Sequence, residues 1–337
     1  MSEALLSPAF ALTPTPVQLA QHVSEALGRE VYVKRDDQTH PAYGGNKARK
    51  LSMLLAEARA RRATDLVLVG AAGSNHVLAT TVHGRALGFA VTAFVVPRPH
   101  SPEAEESLRA AAALGCRLVP TRSEWTAVPR LAHELLRLRL RGRRPWFIPP
   151  GGSSSLGAVG YVRAVEELAR QRANGELPWP DVMVCVLGSG GMLAGLAAGV
   201  RAVGLPCRVV GVGVWSAWAA NRMALTWMAR RTLALANEPG RDSPYAPPEL
   251  EVDLSQLGAG YGHPTEAALE AQALFARDGV VLDTTYTAKA AAGLMALARA
   301  DPRPRRFLFW HSLSSAPLEP LLGSGELPEP QVLALLR

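Results

Sequence analysis

Short apolar, strand-like runs alternate with helix-length amphipathic runs along most of this chain of 337 residues, and that alternation constrains its fold more than any other feature. Residues 66–69, 90–96, 117–119 and 146–148 read as strands, with helices expected over 74–87, 103–114 and 124–140. A second series follows: helix 157–172, strand 182–187, helix 192–203, strand 207–214, helices 217–236 and 265–277, strand 280–282, helix 287–300 and strand 306–310. The polar, proline-rich stretch 237–253 reads as a loop. Strands that return through helices run parallel, and a parallel sheet must be covered on both faces. The expected class is α/β, with two open, twisted, mostly parallel sheets flanked by helices. The run Pro149-Pro150-Gly151-Gly152-Ser153-Ser154-Ser155 reads as a linker or loop. It divides the chain into a smaller unit, 50–150, and a larger one built from 1–49 and 151–337.

One stretch carries unusual chemistry for its length: Ala42-Tyr43-Gly44-Gly45-Asn46-Lys47-Ala48-Arg49-Lys50, with a helix expected straight after Lys47. Paired glycines open backbone conformations closed to other residues and let a bulky group come close. A partly desolvated lysine amine there can form a Schiff base with a carbonyl cofactor. The plain alternative is a surface lysine at a helix start. Usage argues against it, because the chain has four lysines, Lys34, Lys47, Lys50 and Lys289, against 32 arginines. A chain that writes arginine almost everywhere keeps lysine where arginine cannot substitute, and a Schiff base is one such place.

Two strand–turn–helix junctions can each hold an anion. Gly188-Ser189-Gly190-Gly191 precedes the helix opening at Met192, and backbone N–H groups at such a helix start cradle phosphate. A dinucleotide site would want an acidic residue near the end of the next strand, which here runs Gly213-Val214-Trp215-Ser216. A monophosphate group is favoured, and no lysine follows the glycines as a Walker motif needs. At Gly73-Ser74-Asn75-His76, Ser74 is either a simple N-cap or part of a carboxylate-binding helix start. Tyr261, in Gly260-Tyr261-Gly262-His263-Pro264, and Tyr286, in Asp283-Thr284-Thr285-Tyr286-Thr287, are either packed aromatics or rings against a planar cofactor. Ser312, after Trp310-His311, either caps a loop or meets a ring nitrogen.

Composition excludes several classes. The formal net charge of +7 is arginine-borne, and the dense run Arg137 to Arg144 lacks interleaved aromatics, so a solvated helix face is expected and no nucleic-acid partner. Cys116, Cys185 and Cys207 are too dispersed for a disulfide framework. No apolar run reaches a span of about 20 residues, and the N-terminus lacks a signal-peptide pattern. A reducing, cytoplasmic setting without membrane contact is expected. The eight histidines show no metal-ligand spacing, and a metal site shared by His76 and His83 has little behind it.

Taken together, Lys34-Arg35-Asp36-Asp37, the Gly-Gly-Asn-Lys stretch and the two glycine turns resemble the pyridoxal-phosphate-dependent family that includes D-cysteine desulfhydrase and 1-aminocyclopropane-1-carboxylate deaminase. The resemblance runs from about Pro14 to His311. It implies a tryptophan-synthase-β-like fold (fold type II), a homodimer, and a pyridoxal 5'-phosphate cofactor in the cleft between two α/β domains, with the larger unit binding it. It implies that Lys47 carries the cofactor, that Gly188, Ser189, Gly190, Gly191 and Met192 hold its phosphate, and that Asn75 bonds its phenolic oxygen. Tyr286 would lie against the ring and Ser312 near the ring nitrogen. Ser74, Asn75, His76 and Tyr261 would face the substrate, with Lys47, Ser74, Tyr261 and Tyr286 taking catalytic parts. The family's deaminases follow the ring tyrosine with glutamate, whereas Thr287 stands here, as in the desulfhydrases. A hydroxyl leaves the ring nitrogen more nearly neutral, which suffices to expel thiolate. The expected reaction is therefore α,β-elimination on a small amino acid, giving pyruvate, ammonia and sulfide; the alternatives are cyclopropane opening, another reaction of the same cofactor, or a non-catalytic ligand-binding descendant. Three departures from the pattern stand out: Gly73 for the usual Gln, Met192 for Thr, and Leu313-Ser314 for paired glycines.

Overall fold

A computed structural model of the chain describes residues 8–215, 221–237, 248–300, 305–322 and 327–336. Residues 238–247 of the expected loop and 217–220 of the expected helix lie outside them.

Two sheets form. The smaller contains β3 (Asp65–Ala71), β4 (Ala90–Val96), β5 (Arg117–Pro120) and β6 (Pro145–Ile148) in the order β5-β4-β3-β6, all parallel. The larger has the order β1-β2-β10-β7-β8-β9, built from β1 (Val17–Leu19), β2 (Glu30–Arg35), β7 (Val182–Leu187), β8 (Arg208–Gly213), β9 (Glu251–Asp253) and β10 (Arg306–His311). Only β1, paired with β2, runs antiparallel. The crossovers are helical: α1 (Gln21–Leu27), α2 (Asn46–Ala60), α3 (Asn75–Ala86), α4 (Pro102–Ala113), α5 (Glu124–Leu140), α6 (Ser155–Ala173), α7 (Gly191–Ala202), α8 (Arg222–Ala236), α9 (Glu266–Ala276) and α10 (Thr287–Ala300). This is the α/β class that the alternation requires.

The central strands of the larger sheet, β10, β7 and β8, bury both faces. β7 is buried at every position and, with Phe307, Leu308, Phe309 and Trp310 of β10, forms the centre of one apolar core. A second core forms around the smaller sheet from Leu66, Leu68, Val91 and Val95, and α2 supplies Leu51, Leu54 and Leu55 to it. The chain ends, grouped with the larger unit in the expectation above, contribute Phe10, Val332 and Leu335 to this second core.

Some expectations change. Residues 280–282 belong to no strand. Val280 and Leu282 are buried and Val281 is exposed, so the alternation is real, but the Leu282 carbonyl is taken by the Gln272 side chain at 2.6 Å instead of a neighbouring strand. The edge strands β1 and β9 are three residues each, too short to register as a pattern. The helix expected to follow Lys47 begins one residue before it, at Asn46, so the lysine sits in the first turn.

Candidate active site

The candidate residues come from different crossovers, and all of them except Tyr261 and Tyr286 follow the C-terminal ends of parallel strands, where open α/β sheets bind ligands. β2 leads into Gly44-Gly45-Asn46-Lys47, β3 into Ser74-Asn75-His76, β7 into Gly188–Met192 and β10 into Ser312. The register of the larger sheet pairs His311 of β10 with Arg35 of β2, and the segments carrying Ser312 and Gly45 meet beyond that pair.

Gly45 allows that meeting. Its φ is +78°, and a Cβ there would lie 2.6 Å from the Ser312 carbonyl oxygen. The Asn46 N–H donates to that carbonyl at 3.0 Å, and the Gly44 N–H donates to Ser314 Oγ at 2.9 Å. The close approach that the family pattern assigns to glycines after Ser312 is supplied here from the other side, by Gly44 and Gly45. Gly73 has a comparable reason: its φ is +65°, and a Cβ would collide with the Ala104 carbonyl at the start of α4.

Lys47 is half-buried, and burial pushes its amine down to about 8. Lys50, one turn on, is buried, and its amine is held well below the usual lysine value by burial and then by Lys47. Lys50 Nζ reaches Ser153 Oγ at 3.5 Å. That hydroxyl lies 2.8 Å from Ser189 Oγ and accepts the Gly191 N–H at 3.1 Å. The lysine-bearing turn is thereby joined to the glycine turn at the start of α7. Met192 is buried in the larger core, so its side chain is packing and only its backbone faces the turn.

On the smaller sheet, Ser74 caps α3 through the Val77 N–H at 3.4 Å. Asn75 Oδ1 accepts the Tyr43 hydroxyl at 3.1 Å. His76 is buried with neither ring nitrogen hydrogen-bonded. Burial, then Lys47 and Lys50, holds it well below its ordinary pKa, so it is a neutral imidazole beside two amines. His83, on the same helix, bonds the Tyr43 carbonyl at 2.9 Å, and no metal-ligand cluster occurs among the described residues.

The Tyr261 and Tyr286 hydroxyls share a hydrogen bond, with their rings edge to face. Asp283 caps α10 by accepting the Tyr286 N–H at 2.7 Å and the Thr287 hydroxyl at 2.7 Å. Burial raises the Asp283 pKa. Lys289 holds the loop before Tyr261 through the Leu257 and Gly260 carbonyls.

Residues 9–312 match the family described as pyridoxal-phosphate-dependent enzymes. The chain belongs to that family. It is 33% identical over 300 residues to a putative 1-aminocyclopropane-1-carboxylate deaminase of Pyrococcus furiosus, covering 88% of each chain. It is 36% identical over 291 residues to the D-cysteine desulfhydrase of Salmonella schwarzengrund, covering 84% of this chain and 85% of that one. A solved ACC deaminase homologue superposes with a TM-score of 0.78 at 30% identity, covering all of both chains. A fungal L-serine ammonia-lyase from Rhizomucor miehei, at 20% identity and a TM-score of 0.64, shares the fold.

The residues present fit pyridoxal phosphate. An aldehyde needs a lysine amine with a depressed pKa, and Lys47 has one. A phosphate needs backbone donors and a counter-cation, and the start of α7 and Lys50 provide both. Both His76 nitrogens are buried without a protein partner, which leaves polar capacity at this end of the smaller sheet. Lys50 and Ser153 were not singled out from sequence as site residues. Lys50 carries the same signal of scarcity as Lys47, at a spacing that shares its helix face. Ser153 carries none, because its run reads as a linker.

Proposed function

We propose that this enzyme catalyses α,β-elimination on a small amino acid, most like D-cysteine desulfhydrase, releasing pyruvate, ammonia and sulfide. The observation that supports the reading is the bridge Lys50–Ser153–Gly191, which joins the start of α7 to a lysine one helical turn from Lys47. The cleft between the two sheets is the proposed site.

Pyridoxal phosphate, when bound, supplies an aldehyde for an amine and a sink for the electrons of a carbanion. Lys47 would anchor it, and the Lys47 amine would take the proton from the substrate α-carbon. Lys50, Ser189 and the backbone of Gly188, Gly190, Gly191 and Met192 hold the phosphate. Asn75, oriented by the Tyr43 hydroxyl, bonds the phenolic oxygen. The start of α3, with Ser74 and His76, takes the substrate carboxylate through backbone N–H groups. Tyr286 and Ser312 would hold the ring of the bound cofactor. Tyr261, joined to Tyr286, supplies the proton to the departing thiolate. The α-carbon pair forms the new double bond as the C–S bond breaks toward sulfur, and the released enamine takes up water to give pyruvate and ammonia. Thr287 in place of a carboxylate supports elimination over cyclopropane opening.

A homodimer in a reducing, cytoplasmic compartment completes the proposal; three cysteines without disulfides are consistent with that setting. The test is product analysis of the cofactor-loaded protein with D-cysteine, L-cysteine and 1-aminocyclopropane-1-carboxylate. Pyruvate and sulfide from cysteine support the reading, and 2-oxobutyrate from the cyclopropane alone overturns it. Cofactor uptake with no turnover of any of them identifies a ligand-binding descendant.

A further inference from the structure

We propose that Arg98 is a specificity-determining residue that receives a negatively charged β-substituent of the amino-acid substrate. The proposal deepens the elimination reading and rests on it.

Arg98 stands two residues past β4, at the same strand ends that lead into Ser74 and Asn75; Ala72 N–H donates to the Val96 carbonyl there at 2.9 Å. Its backbone is fixed by the C-terminal segment, through its N–H to the Leu335 carbonyl at 3.1 Å and a bridge to Leu336. The residue is 9% exposed. Its Nε donates to the Pro99 carbonyl at 3.3 Å, and its guanidinium carbon lies 5.4 Å from the centre of the Tyr261 ring. Among the described residues, no carboxylate pairs with it and no acceptor takes its two terminal nitrogens.

Arg49, which is more deeply buried, is matched by two carboxylates. Arg98 keeps little solvent contact and has an aromatic face but no carboxylate, so its charge is only partly compensated. An anion brought by the ligand completes the balance, and the planar fork suits carboxylate, sulfate, sulfonate or phosphate. The α-carboxylate already has the start of α3. Arg98 lies instead beside the Tyr261–Tyr286 pair, where the leaving group departs. With an anionic substituent, the α-proton passes to the base, the bond from Cβ to the leaving group breaks toward that group, and Arg98 holds the charge that the substituent already carries when the substrate binds. No oxidant or reductant is consumed.

The test compares wild type, Arg98→Gln and Arg98→Lys holoenzymes on serine O-sulfate and on β-chloroalanine, each as both enantiomers. The expected result is a fall of about 10- to 100-fold in kcat/KM for serine O-sulfate in Arg98→Gln. β-Chloroalanine should change little, and Arg98→Lys should lie between. Parallel losses on both substrates, or none on either, overturn the proposal, since a merely structural role would move both. If wild type turns over neither substrate, the elimination reading fails on its own. Calorimetric binding of O-phosphoserine then decides: weaker binding to Arg98→Gln supports the subsite, and equal binding overturns it.

Discussion

Buried cations occur on two faces of the first turns of α2, and the protein treats them in opposite ways. On one face, Arg49 meets both oxygens of Asp36 and also Glu167. Lys34 Nζ donates to Thr15, Glu167 and Gln171, and Asp36 accepts Trp310 Nε1 at 2.6 Å. Every charge there has a partner. On the other face, Lys50 has one distant hydroxyl, and Lys47 and His76 have no hydrogen bond among the described residues. A satisfied network fixes geometry, whereas an unsatisfied one is poised for a ligand. The first face ties α2 to β2, α6 and β10, and so aims the second.

The comparison is broken most directly at Lys47. Lys47→Ala should lower turnover by roughly a thousandfold or more, because both the anchor and the base are lost. Full turnover in steady-state assays would remove Lys47 from the chemistry. Arg49→Met should act on the fold. It leaves Asp36 enclosed without its cation, while Glu167 keeps Lys34, at a cost of about 3–5 kcal/mol, read by urea unfolding.

Lys50→Met should show the opposite sign. Removing an enclosed, nearly unpartnered cation leaves the cofactor-free protein as stable as before or more so. The same change should weaken pyridoxal phosphate binding by about 10- to 100-fold, read by equilibrium titration. Equal destabilisation by Arg49→Met and Lys50→Met would erase the distinction between the two faces.

The legible part of this molecule was local. Alternating runs give the two parallel sheets, and lysine scarcity marks Lys47. Its wider meaning emerges only in three dimensions: Lys34, Lys50 and Lys289 are buried, each placing a compact amine on carbonyl, carboxylate or hydroxyl oxygens. Non-local partners were not legible. Within Lys34-Arg35-Asp36-Asp37, four opposed charges in a row, only Arg35 and Asp37 pair with each other. Asp36 reaches Arg49 and Lys34 reaches Glu167, far along the chain. The contacts of Ser153 with Gly191 and of Arg98 with the Tyr261 ring were not legible for the same reason, since nothing beside either residue in sequence announces them.

The smallest effect sharpens the comparison by pH. Burial places the Lys47 amine at about 8 in the folded protein, against about 10.4 in an unfolded chain. Between these values the unfolded state binds more protons, so stability rises with pH. Below about 8 both states are protonated, and the folded protein bears the full cost of the enclosed charge. The cofactor-free wild type should therefore gain on Lys47→Met as pH rises from about 8 toward about 10.4, by about 1–2 kcal/mol after allowance for the side chain's partial solvent contact. Urea unfolding of both proteins across that range provides the measurement. A flat difference would mean that water already solvates the ammonium, and the face of α2 that carries Lys47 would then be an ordinary surface.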